Sequence, residues 1–210
     1  MVDPIFVIYL LSRLKVSLNI YSLYIWTYHQ LMRKIVYHVA TSLDHFIAHS
    51  DGSTDGILPE GDHVPDYLEH LKAYDTVIMG KNTYEFGYQF GLKPGLPAYA
   101  NMMHYIFSKT LNLDPIHQQV KVIKEDYLGC IKQLKQESGT DIYLCGGGQF
   151  AGLLLDSELI DELKIKLNPV IFGEGIPLFG ASKKKVDLQF QDSKVYQSGV
   201  LLITYKVVYS

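Results

Sequence analysis

The sequence predicts an α/β fold: a mostly parallel central sheet of about eight strands, covered by helices on both faces and finished by an antiparallel hairpin. Three observations carry this expectation. From Met32 onward, short β-branched apolar runs alternate with helical segments, the pattern of parallel strands joined by crossover helices. A corner of three glycines, Gly146-Gly147-Gly148, joins one such run to an amphipathic segment. The tail then reads as two long strands with no helix between them.

Taken in order, Lys34–Thr41 (KIVYHVAT) is the first strand, followed by a turn-rich loop, HSDGSTDGILPEGD. In PDYLEHLKAY, Tyr67, Leu68, Leu71 and Tyr74 share one helical face and Pro65 stands near the first turn, where its missing N–H costs nothing. TVIMG is a buried strand closed by Gly80, with a short helix from about Thr83. A Gly/Pro-rich loop leads to the strands HYIFS and VKVI, and DYLGCIKQLKQES is a second long helix. DIYLC is a strand, QFAGLLLDSELIDEL a helix and LKIKLNPVIF a strand. The tail, DLQFQDSKVYQSGVLLITYKVVY, gives two strands turning at Ser198-Gly199.

Composition bounds the function. A chain of 210 residues with 48% apolar and 20% charged residues fits one globular domain, here residues 32–210. A net charge of −3 gives no basis for nucleic-acid binding. Cys130 and Cys145 form no C-x-x-C pair, which argues for a reducing, cytoplasmic setting and against a disulfide framework or structural zinc. Residues 1–31 differ: they are rich in Leu, Ile and Tyr and nearly free of acids. Asp3 and the lack of a small-residue cleavage site count against a signal peptide, and Arg13 and Lys15 interrupt any span. The expectation is an appended segment or mis-assigned start outside the fold; a membrane-associating helix and a helix packed on the domain are the alternatives.

The glycine corner lies at the carboxyl end of a strand and the start of a helix, where open α/β sheets bind ligands. Bare N–H groups and the helix dipole favour an anion there, commonly a phosphate; a tight strand–helix turn explains the glycines as well. Gly146-x-Gly148-x-x-Ala151 fits a relaxed dinucleotide fingerprint, but it comes late in the chain and has no acidic residue closing the next strand. GKNT, residues 80–83, lacks the upstream glycine of a P-loop. Asp51, Ser53, Asp55, Gly56 and Asp62 have calcium-loop spacing but no closing Glu, and a solvated turn explains them better. No metal is expected.

The order SLDHFIA, TVIMGKNTYE, HYIFSKT and IYLCGGGQFAGLLLDSELIDELKIKLNPVIFGEGIPLF closely resembles the dihydrofolate reductase-like superfamily. The nearer likeness is to the branch holding the reductase domain of the bifunctional riboflavin-biosynthesis deaminase-reductase and its stand-alone bacterial relatives. It spans Met32 to Tyr209 and implies a three-layer dihydrofolate reductase-like fold that binds NADPH. By the resemblance, Gly146, Gly147, Gly148 and Gln149 hold the cofactor pyrophosphate, and Gly80, Lys81 and Thr83 meet its phosphates. Ser108 and Lys109 contact the 2′-phosphate, so NADPH is favoured over NADH. Val39, Ala40 and Ile47 line the nicotinamide pocket. Asp44 and Glu174 are the acidic candidates to orient substrate, or to supply a proton if burial raises their pKa.

Two departures stand out. The family's SLDG glycine is His45 here, and the dihydrofolate reductase carboxylate on the next helix is not assigned to either Asp66 or Glu69 of PDYLEHL. No zinc deaminase domain is present, so a stand-alone reductase is implied. The expected function is an NADPH-dependent reduction of a pterin, aminopyrimidine or related heterocycle by a homodimer paired through its C-terminal strands. The alternative is a non-catalytic NADP(H)-binding protein, a sensor or structural dimer.

Overall fold

The computed structural model describes residues 32–209; the expectations for residues 1–31 lie outside them. The chain forms β1 (Ile35–Thr41), β2 (Phe46–Ala48), α1 (Val64–Leu71), β3 (Thr76–Gly80), α2 (Lys81–Phe86) and a 3-10 turn at Gly87–Phe90. There follow β4 (Met103–Phe107), β5 (Val120–Ile123), α3 (Tyr127–Gln136), β6 (Ile142–Gly146) and α4 (Gly148–Asp156). Last come β7 (Glu162–Leu167), β8 (Ile176–Pro177), β9 (Asp187–Val195) and β10 (Leu201–Val208).

Eight strands make one sheet in the order β5-β4-β3-β6-β1-β7-β10-β9. The pairs from β5 through β7 are parallel, and β10 is antiparallel to both β7 and β9. The expected mostly parallel sheet with a terminal hairpin is therefore present, and Gly199 turns the hairpin at φ +82°. Alternation divides the core between two faces. Ile35 and Tyr37 of β1 pack with Ile131 and Leu134 of α3 and with Leu154 of α4. On the opposite face Val36 packs with Leu71 of α1 and Tyr84 of α2. Among the described residues, no helix is long and apolar enough to cross a membrane.

The structure corrects three boundaries. The helix expected through Leu163 ends at Asp156, because Glu158 adopts the left-handed region at φ +59°. The Leu159 N–H then donates to Leu154 O and the Glu158 N–H to Leu155 O, the paired bonds of a Schellman cap. The strand expected through Phe172 stops at Leu167, where the Asn168 amide donates to Thr41 O and Lys166 O and accepts from the Leu58 N–H. The helix expected through Tyr74 ends at Leu71. The small pair β2–β8 was not foreseen.

Candidate functional site

Parallel pairing brings the carboxyl ends of β1, β3, β4, β6 and β7 to one edge of the sheet. There the neighbours β3 and β6 hand their chains to opposite faces. Tyr84 of α2 belongs to the cluster on the α1 side, and Leu154 of α4 to the other. The divergence opens the crevice in which α/β sheets bind ligands.

The three glycines at this crevice have three different physical reasons. Gly146 sits at φ +135°, a conformation side chains disfavour, and its peptide bond to Gly147 is cis. Gly147 is extended (φ −92°, ψ −169°) and caps α4 with no side-chain hydrogen bond. A β-carbon there would stand 3.2 Å from Thr83 Oγ1 and 3.8 Å from Ile47 Cδ1. Gly148 is a packing glycine: its β-carbon would lie 2.2 Å from Pro177 O. The turn, Thr83 and Ile47 are therefore brought together, at the positive end of α4.

The remaining expected residues ring this centre less tightly. Gln149 is exposed on the first turn of α4. Lys81 opens α2 and lies 3.7 Å from Glu85. Gly80 closes β3 with its α-carbon side toward Phe150. Ser108 is buried, and its Oγ accepts from the Thr110 and Leu111 N–H groups, while Lys109 beside it is exposed. Val39 and Ala40 are half-buried on β1, with Ala40 facing the α1 side and Val39 the α4 side.

Asp44 behaves as an anchor. Its carboxylate accepts from the Phe172 N–H at 3.1 Å and the Gly173 N–H at 2.7 Å. The Ser42 hydroxyl and these two backbone donors hold its pKa down at about 2. The raised pKa on which proton donation was conditioned is thus not found; the carboxylate is ionised and fixes the Phe172–Gly175 loop. Glu174 is exposed on that same loop. His45 lies in the left-handed region that favours glycine, at φ +63°, and its side chain is exposed.

A second group, absent from the sequence reading, lies on the α1 side. A recess there is lined by His38, His63, Tyr67, His70, Lys166, Tyr196 and Leu202. The signal available in the sequence was the histidine inside the apolar run IVYHVA, with Tyr67 and His70 one helical turn apart on α1. Thr41 Oγ1, buried at the end of β1, has no protein partner.

The family model described as the RibD C-terminal domain matches residues 33–202. The chain is 33% identical over 171 residues to the uncharacterized protein YwjB of Bacillus subtilis, covering 81% of this chain and 96% of that one. A crystal structure of a putative riboflavin biosynthesis protein from Shewanella sp. PV-4 superposes with a TM-score of 0.72 at 26% identity, covering 85% of this chain and all 100% of the other. At 15% identity, the fold alone is shared with a diaminohydroxyphosphoribosylaminopyrimidine deaminase/5-amino-6-(5-phosphoribosylamino)uracil reductase from Thermotoga maritima. That TM-score is 0.62, covering 85% of this chain and 58% of that one. With its parallel sheet, its glycine turn at the switch point and a match running through both, the chain belongs to the RibD C-terminal domain family, with a reductase-like fold.

Proposed function

We propose that this chain is an NADPH-dependent reductase acting on a pterin, aminopyrimidine or related heterocycle. The observation that carries the reading is the bare turn Gly146-Gly147, facing Thr83 and Ile47 at the head of α4. A β-carbon on Gly147 would crowd this space, and no side chain caps the helix. Both features suit a pyrophosphate lying against backbone N–H groups. The chemistry such a cofactor supplies is hydride donation from its nicotinamide ring.

The chain's own part is to bind, orient and exclude water. Lys81 and Lys109 bring cations to the phosphates. The Ser108 hydroxyl, already accepting two backbone bonds, keeps its own proton to donate to a 2′-phosphate. The backbone of Val39 and Ala40, with Ile47, lines the place of the ring. Asp44 positions the loop carrying Glu174, which leaves Glu174 as the acid to orient substrate or move a proton. The commitment of Asp44 to backbone donors favours a second reading, a protein that binds NADP(H) without turnover. The test is a fluorescence titration with NADPH and NADH. NADPH is expected to bind more tightly, and Lys109→Ala to weaken it about tenfold or more, as for a lost charged hydrogen bond, with NADH unaffected. Equal affinities for the two nucleotides would remove the 2′-phosphate assignment. Tight NADPH binding without oxidation by any pterin or pyrimidine would select the second reading.

Homodimerisation through β9–β10 belongs to the same proposal. All nine residues of β9 are exposed, including Phe190 at 58% and Val195 at 76%, and Phe190 packs against Tyr205 of β10. A long exposed edge strand carrying Leu188, Phe190 and Val195 invites pairing. Analytical ultracentrifugation is expected to find a dimer, and Phe190→Asp a monomer that still binds NADPH. A wild-type monomer at all concentrations would sink the idea.

A further inference from the structure

The recess on the α1 side is built from β1, β7, α1 and the β9–β10 hairpin. In register, His38 pairs with Lys164 and Ala40 with Lys166, so the two lysines flank β1 on the same face as His38 and Ala40. His38 is 4% exposed and meets Tyr67 edge-on and His70 at a tilt, with ring centroids 5.2 and 5.7 Å away. Nδ1 of His38 and Nδ1 of His70 are both buried without a protein partner. Two unpartnered imidazole nitrogens at one small cavity are an unsatisfied polar site.

Histidine, tyrosine, lysine and leucine side chains line it. No acidic side chain lines the recess; around it, Asp66 is engaged by Lys194 and the Tyr196 hydroxyl, Asp62 by the Gln197 and Ser198 N–H groups, Glu69 by Lys72 and Glu162 by Lys34 and Lys164. Burial, Lys164, His70 and Lys166 together push the His38 pKa down to about 3, and burial lowers Lys166 to about 8. At neutral pH the histidine is therefore neutral, with one N–H to give, and the lysine remains mainly charged.

The donors can be counted. The Lys166 ammonium has three protons; one goes to Leu58 O at 2.7 Å and one to His63 Nε2 at 3.1 Å. One remains, together with one N–H from each of His38 and His70. The Tyr67 hydroxyl is shared with Tyr143 and the Tyr196 hydroxyl with Asp66. Three donors around a cavity of about 10 Å³, room for about one water-sized group, suit one oxygen of a planar monoanion. A phosphate dianion carries three terminal oxygens and needs more donors than these.

We propose that the recess formed by His38, His70 and Lys166 is a carboxylate subsite, so that the reductase takes a heterocycle bearing a carboxylate group. This rests on the reductase reading of the adjoining glycine turn. Ala40, at the wall assigned to the nicotinamide, is two residues from His38 on the same strand face, about 7 Å away. A ring over Ala40 can place a substituent in the recess. The anion completes the hydrogen bonds that the two imidazoles lack and balances Lys166.

The test uses the full chain with ¹⁵N-labelled histidine, titrated by NMR at constant ionic strength with acetate, with its neutral isostere acetamide, and with inorganic phosphate. Acetate is expected to move the His38 and His70 ring signals saturably and to raise their titration midpoints. Acetamide should be at least about tenfold weaker, phosphate weaker than acetate, and Lys166→Met should abolish the acetate response. Unmoved rings, or acetamide acting as well as acetate, overturn the anionic subsite; phosphate outdoing acetate overturns the carboxylate assignment. NADPH fluorescence on the same samples separates the two claims. An acetate response without nucleotide binding fails the reductase reading alone, and nucleotide binding without an acetate response fails the subsite alone.

Discussion

Replacing Gly147 by Val is expected to abolish NADPH binding while leaving the chain folded. The backbone at Gly147 is extended, φ −92° and ψ −169°, which a β-branched residue adopts readily. The turn therefore tolerates the substitution, but its surroundings do not. The added β-carbon stands 3.2 Å from Thr83 Oγ1, and the two methyls beyond it cover the N–H groups at the head of α4. An anion that must touch backbone there is kept away. The affinity should fall at least about 100-fold, roughly 2.7 kcal/mol, with a circular dichroism spectrum and melting curve close to wild type. A folded Gly147→Val protein that binds NADPH normally would show that the pyrophosphate sits elsewhere.

Gly152→Ala has the opposite profile: a loss of stability with nucleotide affinity near wild type. Gly152 lies one helical turn after Gly148, and the two form a face of α4 against which the backbone of residues 177–180 rests. A β-carbon on Gly152 would come 2.3 Å from Phe179 O and 3.2 Å from its carbonyl carbon. The obstacle is main chain, so no rotamer change relieves it. Alanine gains up to about 1 kcal/mol in helix propensity, while overpacking costs about 1–3 kcal/mol. The contact is shorter than van der Waals approach allows, so the upper part of that cost applies. A net loss of about 1–2 kcal/mol is expected, lowering Tm by roughly 2–8 °C for a chain of this length. An unchanged or raised Tm would mean that the 177–180 segment is free to move away from α4.

These two glycines show why the motif could be located in the sequence but not resolved into roles. Gly146, Gly147 and Gly148 are chemically identical letters. One serves a positive φ, one leaves a surface bare, and one admits a neighbouring backbone; only the last depends on Pro177, far along the chain. The same limit explains the α4 boundary. SELIDEL keeps a helical apolar period, so its residues read as helix. The end is set by Glu158 in a left-handed conformation and by Leu159 closing back on Leu154, with no glycine to announce it.

The strands TVIMG, HYIFS, VKVI and DIYLC and the hairpin turning at Ser198-Gly199 were legible because each is a local event. A β-branched apolar run bounded by turn residues has few alternatives. Local chemistry also located the anion-suited corner at a strand end. What the tertiary structure decided was which side chains meet. Asp44 finds its partners at Phe172 and Gly173, and those donors, not its sequence neighbours, make it an ionised anchor rather than a proton donor. His38, Lys166 and Tyr196 converge on one recess from three strands or their ends, with His63 and His70 from the α1 region. Sequence alone determined the sheet, the hairpin and the glycine turn, because backbone geometry follows from short-range propensity and period. The pKa of Asp44 and the unpartnered nitrogens of His38 and His70 were decided by the fold, because burial and long-range neighbours set the cost of a charge or a missing hydrogen bond.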